Sequence, residues 1–307
     1  MNYPNITILG AGTIGLSWAA LFAATGRNVS VYDPSPDTPQ RLSKFVEGAS
    51  TTLTALGWHH AGDMSRITLV ADPAEAVRDA DFIQESIPER LALKHALYAA
   101  IEPRLKPDVI IGTSTSGLRL SELQTGFQHP GRLILAHPFN PPHLIPLVEV
   151  MENTQTDTGV LQRAVDFYQS IGKVCVQLHK EVPGHIANRL QAAIWREAIH
   201  LAQEGVASVE DIDKAVAFGP GLRWAAFGPT TLFHLGGGAG GIRAFCDHLG
   251  SHVEDWWNDL GSPDLTPAAV DTLEAGMKQV LANTSNQDLA AQRDKMVLQY
   301  ILARAKS

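Results

Sequence analysis

The sequence predicts an α/β domain with a doubly wound sheet, followed by a mainly α-helical domain. Short apolar runs with strand spacing alternate with helical segments as far as Val182, and a glycine-rich turn follows the first of these runs. After Gly184 the strand signals nearly vanish. A chain of 307 residues also suits two domains of about 150 residues each. We therefore expect a first domain at residues 1–183 and a second at residues 184–307.

The first domain begins with one complete strand–helix–strand unit. NITILG is an alternating apolar strand, SWAALFAATG has helical spacing and ends at Gly26, and NVSVYD is a strand that closes on Asp33. A unit of about thirty residues is the size expected for two parallel strands and their crossover helix. The alternation continues in the strands RITLV, DFIQES, VIIGTS, RLILAH, LVEVMEN and KVCVQLH, and in the helices DPAEAVRDA, LALKHALYAAIEPRLK and LQRAVDFYQSIG. It implies helices on both faces of one sheet.

The second domain is predicted to be helical because its apolar residues keep helical spacing almost to the end. The predicted helices are IANRLQAAIWREAIHLAQEG, SVEDIDKAVAFG and AAQRDKMVLQYILARAK. Apolar positions such as Trp195, Ile199 and Leu201 offer more hydrophobic surface than one small domain can easily bury. We therefore predict a homodimer that forms through this domain.

Composition and charge exclude several classes of protein. Apolar residues make up 45% and charged residues 18% of the chain, as in ordinary globular proteins. A formal net charge of −8 argues against a surface for nucleic acid or for an anionic membrane, since both need clustered Lys and Arg. The sequence has no long apolar run, no basic leader and only two cysteines, Cys175 and Cys246. We therefore expect a cytoplasmic protein without a membrane span or a metal site.

The glycine-rich turn GAGTIG lies between a predicted strand and a predicted helix. In a dinucleotide-binding motif, the first glycine allows the tight turn, the second lets the backbone approach a pyrophosphate, and the third lets the helix pack on the strand. The helix N-terminus attracts phosphate, and an acid about twenty residues later binds a ribose diol and disfavours a 2′-phosphate. A tight glycine turn without a ligand is the alternative. We expect a Rossmann-type domain that binds NAD through Gly10, Gly12, Thr13, Ile14, Gly15 and Asp33.

A histidine and a glutamate flank the proline-rich part of the segment LAHPFNPPHLIPLVE. His137 lies at the carboxyl end of a predicted strand, where ligands bind in open α/β sheets. An enzyme that oxidises an alcohol needs a base for the hydroxyl proton, and a histidine oriented by a carboxylate suits that task. The loop could bring Glu149 against His137; alternatively, both side chains face water.

The segment HPFNPPHLIPLVEV resembles HFFNPxxxxxLVEV, the signature of the 3-hydroxyacyl-CoA dehydrogenase family. The resemblance extends through GAGTIG, ESIPERLALK, STSGL and VPGHIANRL, in one order over nearly the whole chain. It implies that His137 is the general base and that Glu149 orients it. It also implies that Ser116 and Asn188 contact the substrate oxygen or the histidine. The cofactor contacts that it implies near the nicotinamide and ribose are Glu89, Lys94 and Ser116.

Four of these residues, other than His137 and Glu149, also have a structural interpretation. Ser116 could cap a turn, and Asn188 could be a solvated helix residue. Glu89 could favour the start of a helix, and Lys94 could be a solvated helix lysine. The residues alone leave these alternatives open.

The second domain narrows the resemblance. The segment FGPGLRWAAFGPTTLFHLGGGAGG, with Arg223-Trp224, resembles the branch of L-carnitine dehydrogenase and L-gulonate 3-dehydrogenase, the λ-crystallin relatives. That branch oxidises the 3-hydroxyl of free 3-hydroxy acids to the 3-keto acid. Arg223 could bind the substrate carboxylate, or could form a structural salt bridge instead. The domain also contains aromatic residues that could bind a quaternary ammonium over their ring faces, or could instead pack in the core: Trp195, Trp224, Phe227 and Phe233.

Two other functions stay open from the sequence. One is an L-3-hydroxyacyl-CoA dehydrogenase, although the acidic surplus of the chain does not suit the phosphates of CoA. The other is a non-catalytic, crystallin-like dinucleotide-binding protein. The presence of a complete set of catalytic-type residues argues against this second alternative, because a structural protein does not require them. The set is Ser116, His137, Glu149 and Asn188.

Overall fold

The computed structural model describes residues 3–282 and 284–305. Contacts divide the chain into two units, the first ending at Ala187 and the second beginning at Asn188. In the part of the chain that is described, no helix is both long enough and apolar enough to cross a membrane.

The first unit is built on one eight-stranded sheet. Its strands are β1 (Asn5–Leu9), β2 (Asn28–Tyr32), β3 (Ile67–Leu69), β4 (Phe82–Glu85), β5 (Ile110–Thr113), β6 (Leu133–Pro138), β7 (Leu147–Met151) and β8 (Val174–Gln177). Their order is β3-β2-β1-β4-β5-β6-β7-β8, and neighbours from β3 to β6 are parallel. The direction of winding reverses between β1 and β4, which is where ligands bind in doubly wound sheets. The predicted doubly wound sheet is confirmed.

Strand β7 departs from this parallel arrangement. It runs antiparallel to β6, and only residues 139–146 connect the two strands. A connection of that length is too short for the helical crossover that a parallel pair needs. In the resulting register, His137 on β6 lies directly opposite Glu149 on β7. Parallel pairing resumes between β7 and β8.

Helices cover both faces of the sheet. They are α1 (Thr13–Ala24), α2 (Thr38–Ala55), α3 (Pro73–Ala76), α4 (Leu91–Ile101), α5 (Leu120–Gln124) and α6 (Val160–Ser170). One buried core packs α1, α2 and α6 on the sheet around Trp18 and Phe82, and a second packs α4 and α5 around Tyr98. The neighbouring residues Ile110 and Ile111 belong to different cores, so the cores lie on opposite faces.

Four helices of the first unit differ from the sequence prediction. Helices α2 and α5 had no predicted counterpart, although the buried residues of α2 have helical spacing. The helix predicted over DPAEAVRDA is only the four residues of α3. The helix predicted over LALKHALYAAIEPRLK ends at Ile101, because Pro103 cannot continue the hydrogen-bond ladder.

The described residues of the second unit form helices and connecting turns, without a strand. The helices are α7 (Ala187–Gln203), α8 (Val209–Phe218), α9 (Pro220–Trp224), α10 (Pro229–Gly236), α11 (Gly241–Asp259), α12 (Pro267–Leu281) and α13 (Asn286–Arg304). The predicted helical domain is confirmed; Lys306, in the last predicted helix, lies outside the described residues. Ile199, which the homodimer prediction counted as surface, is buried, whereas Trp195 is exposed.

Candidate active site

His137 and Glu149 form a hydrogen-bonded pair inside the first unit. Nδ1 of His137 lies 2.9 Å from Oε2 of Glu149, and both side chains are buried. An ionised carboxylate only accepts, so Nδ1 carries a proton, and in the form of the ring that can act as a base the lone pair is on Nε2. The strand register brings the two residues together, because directly opposed side chains of an antiparallel pair lie about 5 Å apart.

Backbone amides hold the second oxygen of Glu149. Oε1 accepts hydrogen bonds from the amides of Ile186 (2.8 Å) and Ala187 (2.9 Å). Burial alone raises the pKa of Glu149, but the hydrogen bonds from His137 and from the two amides outweigh burial and keep the pKa below its usual value. The carboxylate is therefore ionised at neutral pH and can stabilise a positively charged imidazole.

The loop between β6 and β7 is held by residues distant in sequence. Lys173 is buried and donates hydrogen bonds to the carbonyls of Pro142 and Ile145, the latter at 3.0 Å. Burial lowers the pKa of Lys173 to about 7. Ser17 on α1 accepts a hydrogen bond from the amide of His143 at 2.7 Å. Neither Lys173 nor Ser17 was predicted, because sequence spacing gives no sign of these contacts.

Ser116 lies in an exposed turn after β5. Oε1 of Glu89 accepts hydrogen bonds from the Thr115 hydroxyl and from the amides of Ser116 (2.9 Å) and Gly117 (2.7 Å). Burial raises the pKa of Glu89, but the hydrogen bonds from Thr115 and Gly117, together with the nearby Lys94, keep the pKa below its usual value. Glu89 thus holds the Ser116 turn, and its contact with a nicotinamide ribose stays a prediction.

Lys94 is buried, so its interpretation as a solvated helix lysine is wrong. Its Nζ lies 2.7 and 2.8 Å from the two carboxylate oxygens of the buried Glu85, and 3.7 Å from Oε2 of Glu89. Tyr98 and Thr113 donate further hydrogen bonds to Glu85, at 2.9 and 2.6 Å. A buried carboxylate needs such partners, and removing one is strongly destabilising. Sequence analysis missed Glu85, although a charged residue that ends a buried strand is a signal.

The glycine-rich turn lines a pocket of about 690 Å³. Packing explains the outer glycines, since a Cβ at Gly10 would lie 2.7 Å from the carbonyl oxygen of Ser86 and a Cβ at Gly15 would clash with that of Gly10. A Cβ at Gly12 would meet no protein atom within 4 Å. Close approach of a ligand is therefore a better explanation for Gly12 than protein packing.

Among the described residues, the start of helix α1 has neither a side-chain cap nor an acidic residue in its first turn. Thr13 and Ile14 form this turn. Its free amides suit a phosphate, because helix N-termini carry partial positive charge. The open Gly12 and the uncapped helix together fit a dinucleotide.

Asp33 follows β2 and lines the same pocket. Its Oδ2 accepts a hydrogen bond from the amide of Ala11 at 2.7 Å, and its Oδ1 accepts one from the amide of Ser35 at 2.9 Å. Arg41 on α2 also lines the pocket, with Nη2 3.8 Å from Oδ1 of Asp33 and Nη1 donating to the carbonyl of Ala11 at 3.1 Å. The predicted ribose acceptor is thus tied to the glycine-rich turn and has a cation beside it.

Three predicted substrate residues belong to the second unit. Asn188 is half-buried in the first turn of α7, and Arg223 and Trp224 end α9. Among the described residues of this unit, Arg223 forms no ion pair, so its alternative as a structural salt bridge gains no support. The interpretation as core residues is wrong for three of the four aromatic candidates, because they are exposed: Trp195, Phe227 and Phe233.

Similarity to known proteins covers nearly the whole chain. Residues 5–182 match the family described as 3-hydroxyacyl-CoA dehydrogenase, NAD binding domain, and residues 184–282 match the corresponding C-terminal domain. L-carnitine dehydrogenase from Nocardiopsis dassonvillei is 45% identical, over 95% of this chain and 89% of the relative. L-carnitine dehydrogenase from Streptomyces coelicolor is 42% identical, over 99% of this chain and 96% of the relative.

A solved structure supports the same relationship. The crystal structure of 5-formyl-3-hydroxy-2-methylpyridine 4-carboxylic acid 5-dehydrogenase, described as an NAD⁺-dependent dismutase, superposes with a TM-score of 0.81. The two sequences are 30% identical, and the match covers 97% of each chain. Both units of the fold therefore have counterparts in one known dehydrogenase.

Proposed function

The chain belongs to the 3-hydroxyacyl-CoA dehydrogenase family, and we propose that it oxidises the 3-hydroxyl of a free, carnitine-like 3-hydroxy acid to the 3-keto acid. It is an NAD-dependent oxidoreductase that acts on CH–OH. The observation that carries the proposal is the buried hydrogen bond between His137 and Glu149, whose other oxygen is held by two amides. This arrangement suits a general base whose positive charge must be balanced.

In the proposed reaction, Nε2 of His137 takes the proton of the substrate hydroxyl. Bound NAD supplies the acceptor for the hydride that leaves the same carbon. The ionised Glu149 stabilises the imidazolium and keeps the proton on Nδ1 before the reaction, so that Nε2 is free to accept. The family resemblance implies that Ser116 and Asn188 each contact the substrate oxygen or the histidine. A positioned base of this kind contributes about 10²–10⁴-fold to the rate.

The pocket supports part of the predicted cofactor site, because Gly10, Gly12 and Asp33 line it. The backbone from Gly12 to Gly15 and the uncapped start of α1 would hold the pyrophosphate, and Asp33, which lines the pocket, would accept hydrogen bonds from the adenosine ribose. The family resemblance implies that Glu89, Lys94 and Ser116 lie at the nicotinamide end; none of the three lines this pocket, and Lys94 is buried against Glu85. The carboxylate of Asp33 disfavours a 2′-phosphate, which agrees with NAD rather than NADP.

The substrate class rests on chemistry that the second unit offers. Carnitine carries a carboxylate, a 3-hydroxyl and a quaternary ammonium. Arg223 has no ion pair among the described residues of its unit, so its guanidinium is available for a carboxylate. Exposed aromatic rings such as Phe227 and Phe233 suit a quaternary ammonium, which binds over aromatic faces. The names of the two relatives, at 45% and 42% identity, support the same choice.

We also propose that the second unit forms a homodimer. Three of its tryptophans, Trp195, Trp256 and Trp257, are between 52% and 66% exposed. Large exposed apolar side chains favour association, and closed homodimers are the commonest soluble assembly. The cytoplasmic location stays a prediction.

Steady-state absorbance of NADH tests the proposal. The panel is L-carnitine, D-carnitine, L-gulonate, L-3-hydroxybutyrate and L-3-hydroxybutyryl-CoA, each with saturating NAD. We expect the highest kcat/KM with L-carnitine. A preference for gulonate assigns the enzyme to sugar acids, and a preference for the thioester overturns the choice of a free acid. NAD binding without reduction of NAD by any compound would instead identify a non-catalytic, crystallin-like protein.

A further inference from the structure

His185 lies near the His137–Glu149 pair and has no role in the reaction proposed above. It follows Gly184 in the segment VPGHIAN and is 5% exposed. Its backbone φ is 52°, a left-handed conformation that residues other than glycine rarely adopt. Such a conformation persists where the surrounding structure holds it in place, and it is often found at functional sites.

The ring of His185 holds the turn that carries Ser116. Nε2 of His185 lies 3.1 Å from the carbonyl oxygen of Thr115. A carbonyl only accepts, so Nε2 carries a proton and the neutral ring keeps its lone pair on Nδ1. Glu89 holds the same turn through the amides of Ser116 and Gly117. Two side chains therefore clamp the turn.

The segment that contains His185 also contacts the dyad. The ring centroids of His185 and His137 are 4.9 Å apart, with 52° between the ring planes. The next two residues, Ile186 and Ala187, donate their amides to Glu149. Residues 185–187 thus touch the proposed base, its carboxylate partner and the turn of the proposed hydroxyl donor.

The charge state of His185 suits this position. Burial lowers the pKa of His185, and the neighbouring His137 acts in the same direction, whereas the Thr115 carbonyl, Glu149 and Glu89 oppose the shift without cancelling it. His185 is therefore neutral at neutral pH. A neutral ring does not oppose the positive charge that His137 gains in the reaction, whereas a second cation would.

We propose that His185 is a positioning residue that fixes the distance between the Ser116 turn and the His137–Glu149 pair. The proposal rests on the proposed function, because it assigns Ser116 and His137 to one reaction. Without the hydrogen bond to Thr115, the turn can move relative to the base. A misplacement of about 1 Å can lower a rate by about 10²-fold.

Three variants of the full-length protein test the proposal. His185→Leu keeps a buried side chain but removes the donor, and His185→Gln retains an N–H donor of similar reach. His179→Leu, at an exposed histidine six residues earlier, is the matched control. We expect His185→Leu to lower kcat about 10- to 100-fold with little change in the KM for NAD, and His185→Gln to recover most of the loss. The control should match the wild type in kcat and in Tm.

The same substitution in a Ser116→Ala background separates positioning from a general loss of stability. There His185→Leu should lower kcat less than about threefold, because the group that it positions is already absent. Equal losses in both backgrounds, or a His185→Leu kcat within about twofold of the wild type, overturn the proposal. If His185→Leu does not fold, His185→Gly takes its place with the same expectation, since glycine accepts the left-handed backbone.

A second measurement needs no substrate. NMR of ¹⁵N-labelled histidine rings should show His185 neutral at pH 7, with its proton on Nε2 and a pKa below the usual 6.5. A proton on Nδ1, or a charged ring at pH 7, overturns the proposed contact. If the wild type oxidises no 3-hydroxy acid, the proposed function fails, and this measurement still decides the contact of His185.

Discussion

The two units differ in how much of their structure is completed within one chain. The first unit buries two apolar cores, one on each face of its sheet. In the second unit, the buried apolar residues among those described are only Ile199, Ile212 and Ala269, while many large apolar side chains are exposed. The first unit therefore has the packing of a self-sufficient domain, whereas the second exposes the apolar side chains on which the proposed homodimer rests.

Polar groups follow the same division. All buried polar and charged side chains among the described residues precede Asn188. In the first unit such groups are paired, as Lys94 is with Glu85 and His137 with Glu149. Among the described residues, the buried and hydrogen-bonded polar side chains therefore lie in the first unit, whereas the second unit presents exposed apolar side chains.

The largest expected effect tests whether the chemistry belongs to the first unit. His137→Gln should lower kcat about 10²–10⁴-fold, because it removes the base. NAD affinity and oligomeric state should not change, since the described contacts of the His137 ring are with Glu149 and His185 and the residue does not line the pocket of the glycine-rich turn. His129→Gln, at an exposed histidine of the same unit, is the control. If His137→Gln keeps most of its activity on every substrate of the wild type, the dyad is not the catalyst.

The next effect tests whether the second unit needs a second copy. Light scattering should give twice the chain mass for the wild type at micromolar concentration. Trp195→Glu should raise the dimer dissociation constant about 30- to 10³-fold, because truncating or charging a tryptophan anchor costs about 2–4 kcal/mol. Lys214→Glu is the control: it introduces the same acidic residue at an exposed position that pairs with Glu210 on the same helix, and it should leave the dimer intact. A monomeric wild type would remove the contrast between the units.

A smaller effect tests cofactor binding by the first unit. Gly12→Val should raise the dissociation constant for NAD about 10- to 100-fold by removing hydrogen bonds to a charged pyrophosphate. The fold should survive, because a Cβ at Gly12 meets no protein atom and its φ is −69°. Gly48→Val is the matched control, since Gly48 also has open space and does not line the pocket. Equal NAD affinity for both variants would contradict the assignment of the pocket.

The last effect concerns the pH dependence of the free energy of unfolding, which should reflect the buried Lys173 of the first unit. The pKa of Lys173 is about 7 in the folded state and 10.5 ordinarily, so the unfolded chain binds the extra proton between these values. Between pH 7 and 9 the free energy of unfolding should therefore rise with pH, by up to about 1.4 kcal/mol per unit, and fall as the pH drops toward 7. Above pH 9 the pKa of Cys175, which burial raises to about 11, opposes this rise. Urea titrations at pH 7, 8 and 9 measure it. Lys173→Met should lack this rise; an unchanged slope would contradict the burial of a neutral lysine.

Much of this fold could be predicted from the sequence, because it depends on local pattern. Strand and helix spacing predicts the doubly wound sheet, and the flanks of GAGTIG predict the pocket. Helix α2 was missed because its Thr and Ser content masks an apolar face formed by Leu42, Val46, Ala49 and Leu53. The antiparallel β7 depends on loop length rather than on strand composition.

The site could be predicted only in part. The motif indicated His137 and Glu149 and a loop that could bring them together, and the structure shows that contact; the antiparallel strand register that produces it was not predicted. Glu85, Lys173 and His185 were missed because each acts on partners brought near by the tertiary fold. The left-handed φ of His185 has no signal in a residue that is not glycine.

The central claim is that His137 and Glu149 act as one unit, and a double-mutant cycle on kcat tests it most directly. In Glu149→Gln the amide donates where Nδ1–H donates, so the ring changes tautomer and Nε2 loses its lone pair. We predict a loss close to that of His137→Gln, intact NAD binding, and no further loss in the double variant. Near-normal kcat for Glu149→Gln, or losses that multiply in the double variant, would contradict the account.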